Sequence, residues 1–90
     1  MAVVYDEVFI STMKEINVCK GAIKKLSRTL ADMEKKYGMA TAEFMEGLGR
    51  GQMRCTRDYK RWHDSYAGLM DWEQRLKEFQ EILENAAKTA

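Results

Sequence analysis

The side chains that could carry out chemistry in this chain are one histidine, His63, and two cysteines, Cys19 and Cys55. A nucleophile needs a base and a group that orients the base, and the chain supplies a single imidazole. Asp64 follows His63 directly, so on a helix the two side chains point about 100° apart. The cysteines and the histidine do not have the spacing of zinc ligands, and no Glu-x-x-His pair is present. The glycines of residues 47–51 follow no strand, so they do not form a phosphate-binding loop. We therefore expect a protein that is not an enzyme, without a metal or cofactor.

Composition limits the chain to one domain, residues 1–90, and favours helix throughout. It has no proline, 46% hydrophobic residues, and 15 basic against 14 acidic residues. This near-neutral balance removes a simple case for a protein that coats DNA. No cationic stretch precedes an apolar run at the N-terminus, and no run of about 18 uncharged residues is present, so we expect neither a signal peptide nor a membrane partner. Two unpaired thiols are typical of a cytoplasmic protein.

Apolar residues in the first half recur every seven positions in two rows. The rows are Ile16, Ile23, Leu30 and Tyr37, and Cys19, Leu26 and Met33. Steps of three and four place both rows on one face, which is the pattern of a helix packed against another helix. The pattern predicts a helix over about residues 4–37. Gly38 is expected to end it in the left-handed conformation, with Lys35 and Lys36 at the negative end of the helix dipole.

Two further helices are predicted after this stop. Thr41 has the side chain of an N-cap, so a short helix is expected over about 42–48, ending at the glycines around Arg50. A third helix is expected over about 53–87, with Thr56 as one candidate cap. Because the connections are short, the two long helices should fold back into an antiparallel all-α hairpin. We call the bend, residues 34–51 with the start of the third helix up to residue 66, the corner.

The third helix carries more aromatic surface than one neighbouring helix can cover. Its apolar positions are Tyr59, Trp62, Tyr66, Leu69, Trp72, Leu76, Phe79, Leu83 and Ala86. A second copy, giving a homodimeric four-helix bundle, or a different protein would cover the excess. The alternative is that the aromatic side chains form the hairpin's own core.

Basic residues are interleaved with these aromatic residues at the corner. The positions that could contact nucleic acid are Arg50, Arg54, Arg57 and Arg61. Arginines pair with phosphates and aromatic rings stack on bases, so nucleic acid is a possible partner. A solvated helix face with its aromatic side chains turned inward is favoured over this interpretation, because no nucleic-acid-binding motif accompanies the charges.

A set of corner residues resembles a known family. It comprises Lys36-Tyr37-Gly38-Met39, Glu43-Phe44, Gly51, Asp58-Tyr59, Trp62, Tyr66 and Arg75-Leu76. Over about residues 33–84 this pattern is similar to the small helical antitoxins of TumE–TumA-type toxin–antitoxin pairs. The resemblance implies a cytoplasmic protein that binds and silences a cognate small toxin, thought in that family to act on RNA.

Carried over position by position, the resemblance and the aromatic surface point to the same partner-binding residues. They are Tyr37, Met39, Phe44, Trp62 and Tyr66. Large aromatic side chains are typical interface hot spots. Two alternatives stay open: a self-associating structural hairpin with no dedicated toxin, and a nucleic-acid accessory protein that uses the basic corner. The identity of the toxin, the stoichiometry and the redox state of the cysteines do not follow from the sequence.

Overall fold

The chain forms three helices and no strand in the part that the structure, a computed structural model, describes: residues 2–51, 54 and 56–89. The helices are α1 (Ala2–Tyr37), α2 (Thr41–Gly49) and α3 (Arg57–Thr89). The long helices give a narrow molecule of 59 × 20 × 17 Å. The expected all-α fold is confirmed. None of the helices, over the residues described, is long and apolar enough to cross a membrane.

The two long helices pack side by side and run in opposite directions. At one end the ring of Tyr37 contacts the rings of Tyr59 and Trp62. Further along, Leu26 lies against Gly68, and a Cβ atom on that glycine would come within 3.4 Å of the leucine Cδ1. Residues earlier in α1 therefore contact residues later in α3, which is the antiparallel hairpin that the sequence predicts. That distance is an ordinary van der Waals contact, so the packing at this level does not require a glycine.

The two heptad rows of α1 form the face that packs against α3. Ile16, Cys19, Leu30 and Met33 are buried, and the other members of the rows are half-buried. On α3 only Trp62 and Ser65 are buried among the residues whose side chains are described, and the remaining apolar stripe is half-buried. A helix with a single long neighbour cannot bury a wide stripe completely, which explains the difference.

A glycine with positive φ follows both α1 and α2. Gly38 has φ +62°, and the amide of Met39 donates to the carbonyl of Glu34, which is the six-residue closure of a Schellman ending. Gly51 has φ +69° at the end of α2. At the start of α3 the Thr56 hydroxyl accepts a hydrogen bond from the amide of Tyr59, so Thr56 is the cap and the helix begins at Arg57, not near residue 53.

The prediction that Thr41 caps α2 is wrong. Ala40 occupies the N-cap position and its side chain makes no capping hydrogen bond. The Glu34 carboxylate instead accepts from the amide of Thr41 at 2.7 Å, reaching across from the last turn of α1. A carboxylate at this place satisfies an otherwise unpaired amide and faces the positive end of the α2 dipole. The Thr41 side chain is thereby left for a different contact.

We expect Gly38→Ala and Gly21→Ala to change stability in opposite directions. A side chain at φ +62° is strained, so the first substitution should lower the free energy of unfolding by about 1–2 kcal/mol. Gly21 lies inside α1 with nothing within 4 Å of an added Cβ, so the second should raise it by up to about 1 kcal/mol. Urea titrations measure both values. Equal effects of the two substitutions would contradict the assigned ending of α1.

Candidate partner-binding site at the corner

The centre of the corner is a face-to-face pair of rings. Phe44 of α2 and Trp62 of α3 lie with ring centroids 4.0 Å apart and planes inclined by only 3°. Both side chains are 0% exposed, and Leu30 and Met33 of α1 complete the buried cluster. The cluster therefore joins all three helices, and it places α2 against the side of the hairpin.

Two tyrosines surround this pair. Tyr37 stacks on Trp62 at 5.8 Å, and Tyr59 meets the edges of both Tyr37 and Phe44 at 5.3 and 5.1 Å. Offset stacked and edge-to-face arrangements are the favourable geometries for aromatic pairs, each contributing about 0.5–1.5 kcal/mol beyond area burial. Four rings from three helices thus fix the relative orientation of the helices at the corner.

A buried hydrogen bond orients the tryptophan. The Trp62 indole N–H donates to the Thr41 hydroxyl at 3.0 Å, and that threonine is itself buried. An unpaired indole N–H in this position would lose its hydration without compensation, at a cost of about 1–3 kcal/mol. No buried side-chain nitrogen or oxygen atom lacks a partner among the residues described. The Thr41 side chain thus serves as the hydrogen-bond acceptor for Trp62.

One carboxylate ties α1 to α3 at the surface of the corner. Asp58 Oδ2 accepts hydrogen bonds from Lys36 Nζ and from the Tyr37 hydroxyl, both at 2.5 Å. The hydrogen bonds from Lys36 and then Tyr37 hold the pKa of Asp58 below its ordinary value. The hydrogen bond from Lys36 to Asp58 raises the pKa of Lys36, and the separate hydrogen bond from Tyr37 to Asp58, together with burial, raises the pKa of Tyr37.

The structure separates the five predicted partner-binding residues into two groups. Phe44 and Trp62 are fully buried in the chain's own core, so in this fold their side chains cannot contact a partner directly. For Trp62, the alternative that the aromatic side chains of the third helix form the hairpin's own core is correct, and Phe44 of α2 belongs to the same core. Tyr37, Met39 and Tyr66 pack against the buried cluster but remain half-buried, so part of each is presented to solvent.

A small apolar pocket lies between α2 and α3 at the corner. It has a volume of about 130 Å³ and is lined by Leu48 of α2 and by Tyr59, Lys60 and His63 of α3. Leu48 and His63 are not among the binding residues predicted from the sequence. Tyr59, His63 and Tyr66 are spaced by four and three residues, so they share one side of α3. In the sequence, this spacing is the feature that places His63 on the same side of the helix as the two tyrosines.

The four arginines proposed for nucleic-acid contact do not act as one group. Arg50 is engaged by Glu46, 2.5 Å away, one turn earlier. Arg57 and Arg61 lie together in an open groove of about 440 Å³, whose lining residues are Leu26, Arg57, Lys60, Arg61, Asp64 and Ser65. Arg54 is exposed outside this groove. Over the described residues, no carboxylate lies within ion-pair distance of Arg54, Arg57 or Arg61.

The aromatic side chains between these arginines are turned inward. Trp62 is fully buried, and Tyr59 and Tyr66 are half-buried against the core. A stacking platform needs exposed ring faces, and this part of the corner does not offer that of Trp62. The groove could contact an anion through its cations, without the aromatic contribution expected from the sequence.

The stability of the corner should depend on pH at both extremes through Asp58. Because its pKa is lowered by folding, its contribution is complete above the ordinary aspartate value of about 3.9 and is lost as the pH falls through the lower folded value. The pKa values of Tyr37 and Lys36 are raised, so their contributions are present below about pH 10 and lost above it. Asp58→Asn should flatten both limbs of a plot of Tm against pH. The control is Asp32→Asn at an exposed position of α1, and parallel curves for Asp58→Asn and the native chain would contradict the assignment.

No group of three or more histidine, cysteine, aspartate or glutamate side chains in the described part of the chain is placed to hold a metal ion. Cys19 is a buried free thiol, and Cys55 lies outside the described residues. Comparison of the chain with protein-family models, with curated proteins and with solved structures gives no match. The similarity to TumE–TumA-type antitoxins therefore stays a prediction based on the corner residues.

Proposed function

We propose that this chain is a non-enzymatic protein-binding module that acts as a cytoplasmic antitoxin and neutralises a cognate small toxin. The observation that carries the proposal is the apolar pocket of Leu48, Tyr59, Lys60 and His63 on the same side of α3 as the half-buried Tyr66. A pocket of about 130 Å³ has the scale of one apolar side chain of a partner. Such pockets are where interface anchors bind.

The rigidity of the corner supports a binding role. The Phe44–Trp62 pair, the bond from Trp62 to Thr41 and the contacts of Asp58 connect the helices beneath the pocket. A preorganised surface avoids much of the entropy that association otherwise removes. Tyrosine, methionine and arginine are also the residue types enriched in interfaces, and Tyr37 and Met39 lie at this corner half-buried.

Charge at the corner favours an acidic partner. The carboxylates there are largely engaged internally: Glu34 by the amide of Thr41, Glu46 by Arg50, and Asp58 by Lys36 and Tyr37. Basic groups without such an engagement in the described structure are Lys35, Arg54, Arg57, Lys60 and Arg61. Electrostatic complementarity of this kind speeds encounter and selects among partners.

Self-association is a second proposal, supported by a different observation. Large hydrophobic side chains that are 36–53% exposed are Val8, Phe9, Ile10, Met13, Val18, Met70 and Ile82. All of them lie on the long helices outside the corner, where each helix has one neighbour. A homodimeric four-helix bundle would cover part of this surface. A hairpin that only self-associates, with no toxin, is the alternative function.

A nucleic-acid accessory role is less favoured. The buried Trp62 provides no stacking surface, so the binding of DNA or RNA would rest on Arg54, Arg57, Lys60 and Arg61 alone. Contacts of cations with phosphates give affinity that falls steeply with salt and carries no sequence preference. Retention of DNA or RNA at low salt would support this role, and its absence there would exclude it.

The antitoxin proposal is tested with the small reading frame next to the gene for this chain. Expressed alone in bacteria, its product should arrest growth, and co-expression of this chain should relieve the arrest and yield a purified complex. A neighbouring product that leaves growth unaffected, or an arrest that this chain does not relieve, would contradict the proposal.

The location of the site is tested separately with variants of the complex. His63→Ala and Tyr66→Ala should each weaken toxin binding, by about 2 kcal/mol (roughly thirtyfold) for a hot spot. Lys77→Ala, at an exposed position further along α3, is the matched control and should bind normally. Circular dichroism verifies folding, because Tyr66 also packs against the core. Unchanged affinity of both variants would place the site elsewhere.

A further inference from the structure

One flank of α3, beside the face that packs against α1, carries a second heptad pattern in which most residues are charged. One row is Arg57, Asp64, Asp71 and Glu78, and the other is Arg61, Gly68, Arg75 and Ile82. Each row repeats every seven residues, and the two rows are offset by steps of four and three, so they share one stripe. All of these residues are exposed apart from the half-buried Gly68. We call them the outer stripe.

The outer stripe is complementary to a second copy of itself in the antiparallel direction. In such a pair, the sequence numbers of two facing residues add up to the same value at every level of the interface. When Arg61 faces the partner copy's position 78, Asp64 faces its position 75. These are an arginine opposite a glutamate and an aspartate opposite an arginine, and two-fold symmetry repeats each pair. Arg57 faces position 82, which is an isoleucine.

A parallel pair in the same register would bring like charges together. Each charged position of the outer stripe would then face its own copy, so Arg61, Asp64, Arg75 and Glu78 would each meet a like charge. Like charges at facing helix positions are destabilising. The order of charges along the stripe therefore selects the antiparallel direction, as charges beside a coiled-coil interface do.

The shape of the corner fits this arrangement. Arg57, Arg61 and Asp64 of the outer stripe line the open groove of about 440 Å³, together with the apolar Leu26. At the other end of α3, Ile82 is 44% exposed and stands one turn after Glu78. In the antiparallel register this end of a second copy meets the groove. Arg75 lies over the ring of Trp72, a residue of the apolar face of α3, 4.8 Å from its centroid.

From this complementarity we propose that two copies of the chain associate through antiparallel contact of their outer stripes, with Arg61 paired to Glu78 and Asp64 paired to Arg75 of the other copy. The inference rests on the proposed self-association and gives it a surface and a direction; of the exposed apolar side chains named for self-association, the stripe contains Ile82. Leu48 and Tyr59 of the apolar pocket lie outside the stripe, but the two surfaces adjoin: Lys60 lines both the pocket and the groove, and His63 Nδ1 of the pocket is 3.3 Å from Asp64 Oδ1 of the stripe.

Exposed ion pairs contribute little individually and are screened by salt. The dimer is therefore weak, and its dissociation constant should rise by about tenfold or more between roughly 50 mM and 500 mM NaCl. An interface held mainly by apolar contacts would keep its affinity or gain affinity over this range. Sedimentation equilibrium of the full chain measures the constant.

Charge reversal tests the register. Arg61→Glu and Glu78→Arg alone should each place like charges opposite one another and weaken the dimer by about tenfold at low salt. The double variant Arg61→Glu/Glu78→Arg restores opposite charges in the antiparallel register and should dimerise nearly as well as the native chain. Lys77→Glu and Glu84→Arg make the same kinds of change at exposed positions of α3 outside the stripe and should have little effect.

Three results would overturn the proposal in distinguishable ways. A double variant as weak as the single variants would exclude the antiparallel register. Self-association that the single variants leave unchanged would show that another surface is used, while self-association itself would stand. A chain that stays monomeric at all concentrations would remove both the interface and the self-association, and toxin binding at the corner would be unaffected by that result.

Discussion

The contact between Phe44 and Trp62 is the interaction on which the rest of the corner depends. The two rings lie 4.0 Å apart and nearly parallel, and both are excluded from solvent. Trp62 is fixed further by its hydrogen bond to Thr41, the first residue of α2. Truncating either aromatic side chain in a buried cluster typically costs about 3–5 kcal/mol. The short helix therefore keeps its place because its Phe44 fills the space between the ends of the long helices.

Two carboxylates form hydrogen bonds that join the helices around this packing. Glu34 accepts from the first amide of α2 and Asp58 accepts from Lys36 and Tyr37, so each acid joins two helices. These contacts leave most of the remaining charge at the corner basic. The same packing leaves Tyr66 and the pocket beside Leu48 at the surface. The proposed binding properties of the corner are in this sense consequences of how its core closes.

Periodicity in the sequence was sufficient for the long helices and their pairing. The rows that contain Ile16 and Leu30 repeat regularly, and Gly38 gave a local signal for the end of α1 that the structure confirms. The burial of Trp62 could not be predicted from this periodicity. Whether an aromatic side chain on α3 is covered depends on where α2 lies in space, and no spacing within one helix encodes that position. Thr41 shows the same limit, since its residue type indicated a cap while its actual partner is 21 residues away.

Two different sides of α3 carry the two proposed interactions. Tyr59, His63 and Tyr66 lie on the side with the apolar pocket, whereas Arg61 and Glu78 lie on the charged outer stripe. Apolar anchoring and charge pairing are physically distinct, and they respond differently to salt. The two surfaces adjoin at Lys60, which lines both the pocket and the groove.

Closure of the corner around Trp62 can be measured by hydrogen exchange of the two indole N–H groups. The chain contains two tryptophans, and the second, Trp72, is half-buried on the open part of α3 and serves as an internal control. Hydrogen exchange followed by NMR should show the Trp62 indole proton exchanging about a thousandfold more slowly than that of Trp72, because its release requires the cluster to open. Similar, rapid exchange of both indole protons would show that the corner is not closed around Trp62.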